Sequence, residues 1–283
     1  MCSWQSITDF KEAGKAEDPL KEAGAMQFIG DNQHVMGCND LLSDDKYLYM
    51  VMPFMPHGDL LGMIYNGRRG GLAQPVARFI FRQLLSTLQY MKEWGVVHRD
   101  ISSENIMMDD QGRCVLIDLG MAIRVPDQAM QEGQTEAMMS PQGACGKLPY
   151  MAPEIFANSK DFDGYAVDLW SAGVVLYSML TGENECAVRD GCRILYNKPS
   201  SRHDPIFELL TRPDKRGLEI LLDCWDMTMD GDAIDLLQSI FQLDPLERPS
   251  LEEVMNHSWV TNPDVITQEE MMEYLELYQC DGM

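Results

Sequence analysis

His98-Arg99-Asp100-Ile101-Ser102-Ser103-Glu104-Asn105 is the stretch on which the reading of this chain turns. It is a polar loop flanked by short apolar runs, Val96–Val97 before it and Cys114–Ile117 after it, so its carboxylate and amide stand at strand ends. Asp100 and Asn105 lie five residues apart. A second acid, Asp118, follows the next apolar run in Ile117-Asp118-Leu119-Gly120. Outward from there come Tyr150-Met151-Ala152-Pro153-Glu154, Asp168-Leu169-Trp170-Ser171-Ala172-Gly173 and Asp244-Pro245-Leu246-Glu247-Arg248-Pro249. Each cluster alone is a common chance occurrence. Their order and spacing together are not.

In that order the clusters resemble the protein-kinase family: HRDxxxxN, a DFG variant, APE, DxWxxG and a late arginine, covering about Lys21 to Val260. The resemblance implies an α+β, protein-kinase-like fold with a mostly helical large C-lobe and an incomplete small β-rich N-lobe. It implies N-lobe residues 1–56, C-lobe residues 57–262 and an acidic helical tail at 263–283. It further implies ATP and Mg²⁺ as cofactors and phosphoryl transfer to a protein hydroxyl, Ser/Thr rather than Tyr. That chemistry asks for positioning and charge neutralisation more than for covalent work. Asp100 would accept or orient the proton of the attacking hydroxyl, while Asn105 and Asp118 offer the hard oxygen donors that Mg²⁺ prefers.

The same resemblance assigns supporting parts. Met52 is the gatekeeper and Pro53-Phe54-Met55 the hinge; adenine would read the Pro53 carbonyl and the Met55 N–H, so the N–H that proline lacks is not needed. Asp59 would meet the ribose, and Glu22 is the candidate partner of a phosphate-anchoring lysine. Leu119 replaces the family's Phe as an apolar plug. His98 packs under the loop, Asp168 accepts from the loop backbone, and Glu154 with Arg248 forms a buried ion pair. Arg99 marks kinases whose activation segment takes a phosphate, for which Thr135 and Ser140 are the candidates.

Three departures stand out. No lysine occurs in Met1 to Ile7 and nothing resembling GxGxxG precedes Glu22, so only two N-lobe strands, His34–Cys38 and Tyr47–Met52, are expected. Where Ser/Thr kinases place Lys after the catalytic aspartate this chain has Ser102, and where they place Thr before the APE run it has Lys147. A compensating exchange follows as a hypothesis, with Lys147 supplying the cation and Ser102 the hydroxyl. The alternative to an enzyme is a pseudokinase or kinase-like module that docks protein partners.

Charge and composition agree with a folded protein that meets proteins. Forty-five per cent of the residues are apolar and 24% charged, against wholesale disorder. The net charge of −23 argues against nucleic-acid and anionic-membrane partners; with Asp59 and Glu104 it suggests a basic peptide substrate. Eight cysteines without metal-ligand spacing fit free thiols in a reducing compartment, the cytoplasm or nucleus. Periodicity predicts helices over Asp18–Ile29 (with Leu20 on its apolar face), Pro75–Trp94, Gly164–Leu180, Asp232–Leu243 and Thr267–Tyr278, with Ser250 opening another through a capping box. Glu183–Arg216 reads as an irregular insertion.

Overall fold

A computed structural model describes residues 3–6, 19–66, 71–125, 138–139, 145–159, 162–182, 195–196, 198–200 and 204–281. The chain opens with strand β1 (Ser3–Ser6), helix α1 (Pro19–Ile29) and strands β2 (Asp40–Ser43) and β3 (Tyr47–Val51). Together the strands form one antiparallel sheet in the order β1-β3-β2, with Trp4 opposite Tyr49 and Leu42 opposite Tyr49 on the other edge. Tyr-Leu-Tyr-Met-Val suits the central position, since aromatic and β-branched residues fit a pleated surface. Asp44 closes the β2–β3 turn by accepting from the N–H groups of Lys46 and Tyr47, both at 2.7 Å.

Below the sheet the chain is helical. Helix α2 (Leu60–Asn66) leads to α3 (Gln74–Glu93), which has Pro75 in its first turn and Gly95 at φ 63° just past its end. Four two- or three-residue strands follow: β4 (Val96–Val97), β5 (Ile106–Met108), β6 (Cys114–Leu116) and β7 (Ile123–Arg124), paired β4 with β7 and β5 with β6. Strands β8 (Met138–Met139) and β9 (Phe162–Asp163) pair around helix α4 (Pro153–Phe156).

Helix α5 (Gly164–Thr181) is the axis of the lobe and is buried on nearly every side, as expected for a helix apolar all round. Trp170, fully buried, meets Phe241 edge-on at 5.2 Å and donates to the Tyr196 hydroxyl at 2.6 Å. Around it stand α6 (Pro205–Leu210), α7 (Gly217–Cys224), α8 (Gly231–Ile240), α9 (Leu251–Met255), α10 (Ser258–Thr261) and α11 (Gln268–Asp281). Gly173 lets α5 and α8 approach: a Cβ there would lie 2.7 Å from Ile240 Cγ2.

Several expectations need correction. The small sheet has three strands among the described residues rather than two, because Ser3–Ser6 supplies an edge. His34–Cys38 is not one of them. Val35 and Met36 are buried because they lie along β6, with Met36 N–H donating to the Leu116 carbonyl at 2.8 Å, while the true strand β2 is mostly exposed and shows no apolar alternation. On α1 the buried stripe is Ala23, Met26 and Ile29; Leu20 is 62% exposed. The stretch Glu183–Arg216 is not wholly irregular. Asp204 caps α6 by accepting from the Ile206 and Phe207 N–H groups, and six residues are too few to show a period. The tail helix packs on the body: Met271 and Leu275 are fully buried, and Gln268 donates to the Gln111 carbonyl in the β5–β6 turn. Two α3 arginines fasten the preceding segment, Arg78 on the carbonyls of Trp259 and Asp264, and Arg82 on those of Val260 and Asn262.

Candidate active site

The β5–β6 hairpin determines what meets what. A 3-10 turn, Ser103–Asn105, runs into β5, and β6 ends one residue before Ile117-Asp118. Because the strands are antiparallel, Asn105 and Asp118 fall at the same end; the Ile117 N–H donates to the Asn105 carbonyl at 2.9 Å. The Asn105 side-chain amide then donates to the Asp100 carbonyl at 2.7 Å and to Asp100 Oδ2 at 3.0 Å. Asp118 sits at φ 65°, in the left-handed region, and its Oδ1 accepts from the Gly120 N–H at 3.2 Å. A non-glycine residue held there is strained, a feature of functional turns.

His98 ties the loop to this hairpin. It is fully buried, its Nδ1 accepts from the Asp100 N–H at 3.2 Å, and its Nε2 lies 3.0 Å from the Ile117 carbonyl. An acceptor at Nδ1 puts the proton on Nε2, so the ring is neutral and donates to Ile117. Burial lowers its pKa below the ordinary histidine value, chiefly by desolvation, which agrees with that state. Asp168 of α5 supports the same loop, accepting from the His98 N–H at 2.7 Å and the Arg99 N–H at 2.8 Å. Burial pushes its carboxyl up to about 7 despite those two donors. Arg99 adopts φ 69° and is buried, with no hydrogen-bond partner for its Nε among the described residues.

Lys147 enters from the segment before α4. Its N–H donates to Asp100 Oδ1 at 3.1 Å. Its ammonium reaches four oxygens of the loop: Ser102 Oγ at 3.1 Å, Glu104 Oε2 at 3.1 Å, Asn105 Oδ1 at 3.4 Å and Asp100 Oδ2 at 3.5 Å. Desolvation alone would pull its pKa down, but Asp100 and Glu104 outweigh that and leave it raised, so it is charged. Gly146, the glycine that opens the run leading to Ala152-Pro153-Glu154, makes this approach possible. It sits at φ 89°, and a Cβ would stand 2.7 Å from the Arg99 carbonyl oxygen.

The remaining candidates distribute as follows. Helix α1 carries Glu22, partly buried, and packs against the turn Leu119–Met121, in which Leu119 is fully buried. Met52 is half-buried, Pro53 and Phe54 are exposed and Met55 is buried, all following β3. Asp59 caps α2, its Oδ1 accepting from the Gly62 N–H at 2.6 Å. Arg248 grips Glu154 with two bonds of 2.6 and 2.8 Å, far from the loop in sequence and buried with it. Thr135 and Ser140 lie outside the described residues.

The donor set fits magnesium. Among the described residues no three His, Cys, Asp or Glu side chains are gathered to hold a metal by themselves. Mg²⁺ does not need them, since it is ordinarily bound by one or two protein oxygens together with substrate phosphates and waters. Asn105 Oδ1 and the Asp118 carboxylate are hard donors of that kind. No helix among the described residues is long and apolar enough to cross a membrane.

A profile of the family described as Protein kinase domain matches residues 6–260. Serine/threonine-protein kinase CHK1 of Mycosarcoma maydis is 30% identical over 265 residues, covering 93% of this chain and 34% of that protein. The putative ribosomal protein S6 kinase alpha-2 of Caenorhabditis elegans is 28% identical over 250 residues, covering 87% of this chain and 31% of that one. CBL-interacting protein kinase 4 of Oryza sativa subsp. japonica is 31% identical over 214 residues, covering 75% and 44%. The chain thus spans about a third to under a half of the length of these relatives.

Proposed function

This chain belongs to the protein kinase family, and from that premise we propose that it transfers the γ-phosphate of ATP to a serine or threonine hydroxyl of a protein. The observation that carries this reading is the Asn105 bridge: one residue holds Asp100 by its side chain and the Asp118 strand by its carbonyl. A proton acceptor and two oxygen donors thereby share one hairpin end.

Each residue's part follows from its surroundings. Asp100 Oδ1 and Oδ2 are already oriented by the Lys147 and Asn105 donors, so the carboxylate is held in place before a hydroxyl arrives. As the new O–P bond forms and the bond to the β-phosphate oxygen breaks, the hydroxyl proton passes to Asp100. Asn105 and Asp118 would hold Mg²⁺, which when bound neutralises charge on the phosphates. Neutral His98 and Asp168 keep the loop in this shape. The hinge segment Met52, Pro53 and Met55, with Asp59, offers the nucleoside its place.

The experiment is a phosphoryl-transfer assay with Mg·ATP and a basic protein acceptor. Asp100→Asn should lower the rate about 10²–10⁴-fold, the usual worth of a positioned general base, with little change in nucleotide affinity. Equal rates for both forms would refute the assignment. A second reading, a kinase-like module that only docks partners, is favoured by one fact: strand β1, Ser3-Trp4-Gln5-Ser6, carries no lysine to anchor phosphates. An unfolding midpoint that Mg·ATP does not raise at any concentration would favour it.

A further inference from the structure

Two carboxylates of the catalytic loop, Asp100 and Glu104, and a third at the end of β6, Asp118, lie at one hairpin end, and the loop itself brings no charged partner for them into the pocket. His98 is neutral, and Arg99 is buried beside Asp168, to which its backbone is bound. A polyphosphate approaching that end meets a repulsive field unless a cation stands there. The residue that stands there comes from a different segment. Lys147 lies within 3.5 Å of oxygens on Asp100, Ser102, Glu104 and Asn105.

We infer that Lys147 is the phosphate-binding cation of this site, delivered by the segment before α4 in exchange for a residue of the catalytic loop, with Ser102 as its hydroxyl anchor. The inference rests on the kinase reading above and deepens it. Ser102 is fully buried, and its hydroxyl accepts from the ammonium at 3.1 Å. The backbone that carries the stem is held in place. Gly146 presses on the Arg99 carbonyl, the Lys147 N–H is bound to Asp100, and the Lys147 carbonyl accepts from the Tyr150 N–H at 2.9 Å. Tyr150 is in turn fixed to α5, its carbonyl accepting from the Ser171 hydroxyl at 2.9 Å. The Lys147 side chain remains 34% exposed. Glu104 holds it meanwhile. A carboxylate that the sequence marks for basic substrates is therefore occupied by the protein's own lysine.

A cation that meets the terminal phosphate distinguishes ATP from ADP, whereas one that only balances Asp100 and Glu104 does not. The test is calorimetric binding of Mg·ATP and Mg·ADP to the whole chain, its Lys147→Ala and Lys147→Gln variants, and the exchange Ser102→Lys/Lys147→Thr. Either single variant should weaken ATP binding about tenfold or more, the worth of one charge-assisted contact, while ADP affinity stays within about twofold. The exchange should restore the ATP-to-ADP ratio to within about threefold of the original. Lys147→Gln keeps the stem's bulk and reports even if the alanine variant does not fold. An unchanged ratio in a folded Lys147 variant, or an exchange no better than the Lys147→Gln variant, overturns the inference and leaves the kinase reading standing. An unaltered chain that binds neither nucleotide overturns both.

Discussion

Replacing Glu154 by alanine would leave a guanidinium buried without its counter-ion, and the structure gives the cost. The Arg248 side chain is 1% exposed and that of Glu154 6%, so neither charge is screened by water. The pair makes two parallel bonds of 2.6 and 2.8 Å. With Glu154 gone, Arg248 keeps its Nε bond to the Gln242 carbonyl, a 3.2 Å contact to the Ala166 carbonyl and its place 4.8 Å over the Trp170 ring. Those contacts hold the side chain where it is and so prevent it from reaching solvent. Removing one partner of such a pair costs about 3–5 kcal/mol, which for a chain of this size lowers Tm by roughly 6–20 °C. Urea unfolding should show the loss as a lower midpoint at unchanged slope, and 0.5 M salt should alter it little. Glu154→Leu combined with Arg248→Met should recover most of the loss, since apolar residues of similar size replace buried pairs well. A Glu154→Ala variant within about 0.5 kcal/mol of the original would refute the reasoning.

Three further outcomes are expected. His98 has a folded pKa below its unfolded value near 6.5, so the stability it permits is complete above about pH 6.5 and is lost progressively as pH falls from there through the lowered folded pKa. His98→Gln should flatten the decline, seen as a smaller difference between urea midpoints at about pH 5 and pH 7.5 than in the original chain. Gly146→Ala adds a Cβ at φ 89° against the Arg99 carbonyl; it should cost about 1–3 kcal/mol by thermal unfolding and reduce ATP affinity by moving Lys147. Leu275→Ala on α11 should cost about 2–5 kcal/mol, and a change under about 0.5 would mean that the tail helix is not part of the folded body.

What the sequence discloses and what it hides have physical causes. Helix α3 is legible because its apolar residues recur at helical spacing between a proline and a glycine, and α5 because Leu169–Leu180 is the longest largely apolar stretch of the chain. The loop residues were legible because the chemistry fixes their types and their places at strand ends. The small sheet was not. Strand β2 is exposed at three of its four residues and so shows no period, while Val35 and Met36 imitate a strand by packing along β6. Helix α6 is hidden by its length. Lys147 was visible only as an anomaly of residue type, because nothing local to it says that it crosses to a loop more than forty positions earlier.

Ser102, Glu104, Gly146 and Lys147 make sense only as one unit. A serine at 102 is small enough to be buried beside the lysine stem and polar enough to accept from its ammonium. That ammonium reaches the loop only if its backbone passes close to Arg99, which requires a residue without Cβ at 146. Glu104 then offsets the cost of drawing a partly buried cation toward the loop, where desolvation works against the charge. Restoring any one position to another residue type removes the reason for the other three. The placement of positive charge at this hairpin end therefore depends on how the segment before α4 folds, and that segment is anchored to α5 through Tyr150 and Ser171 rather than to the His98–Asn105 loop alone.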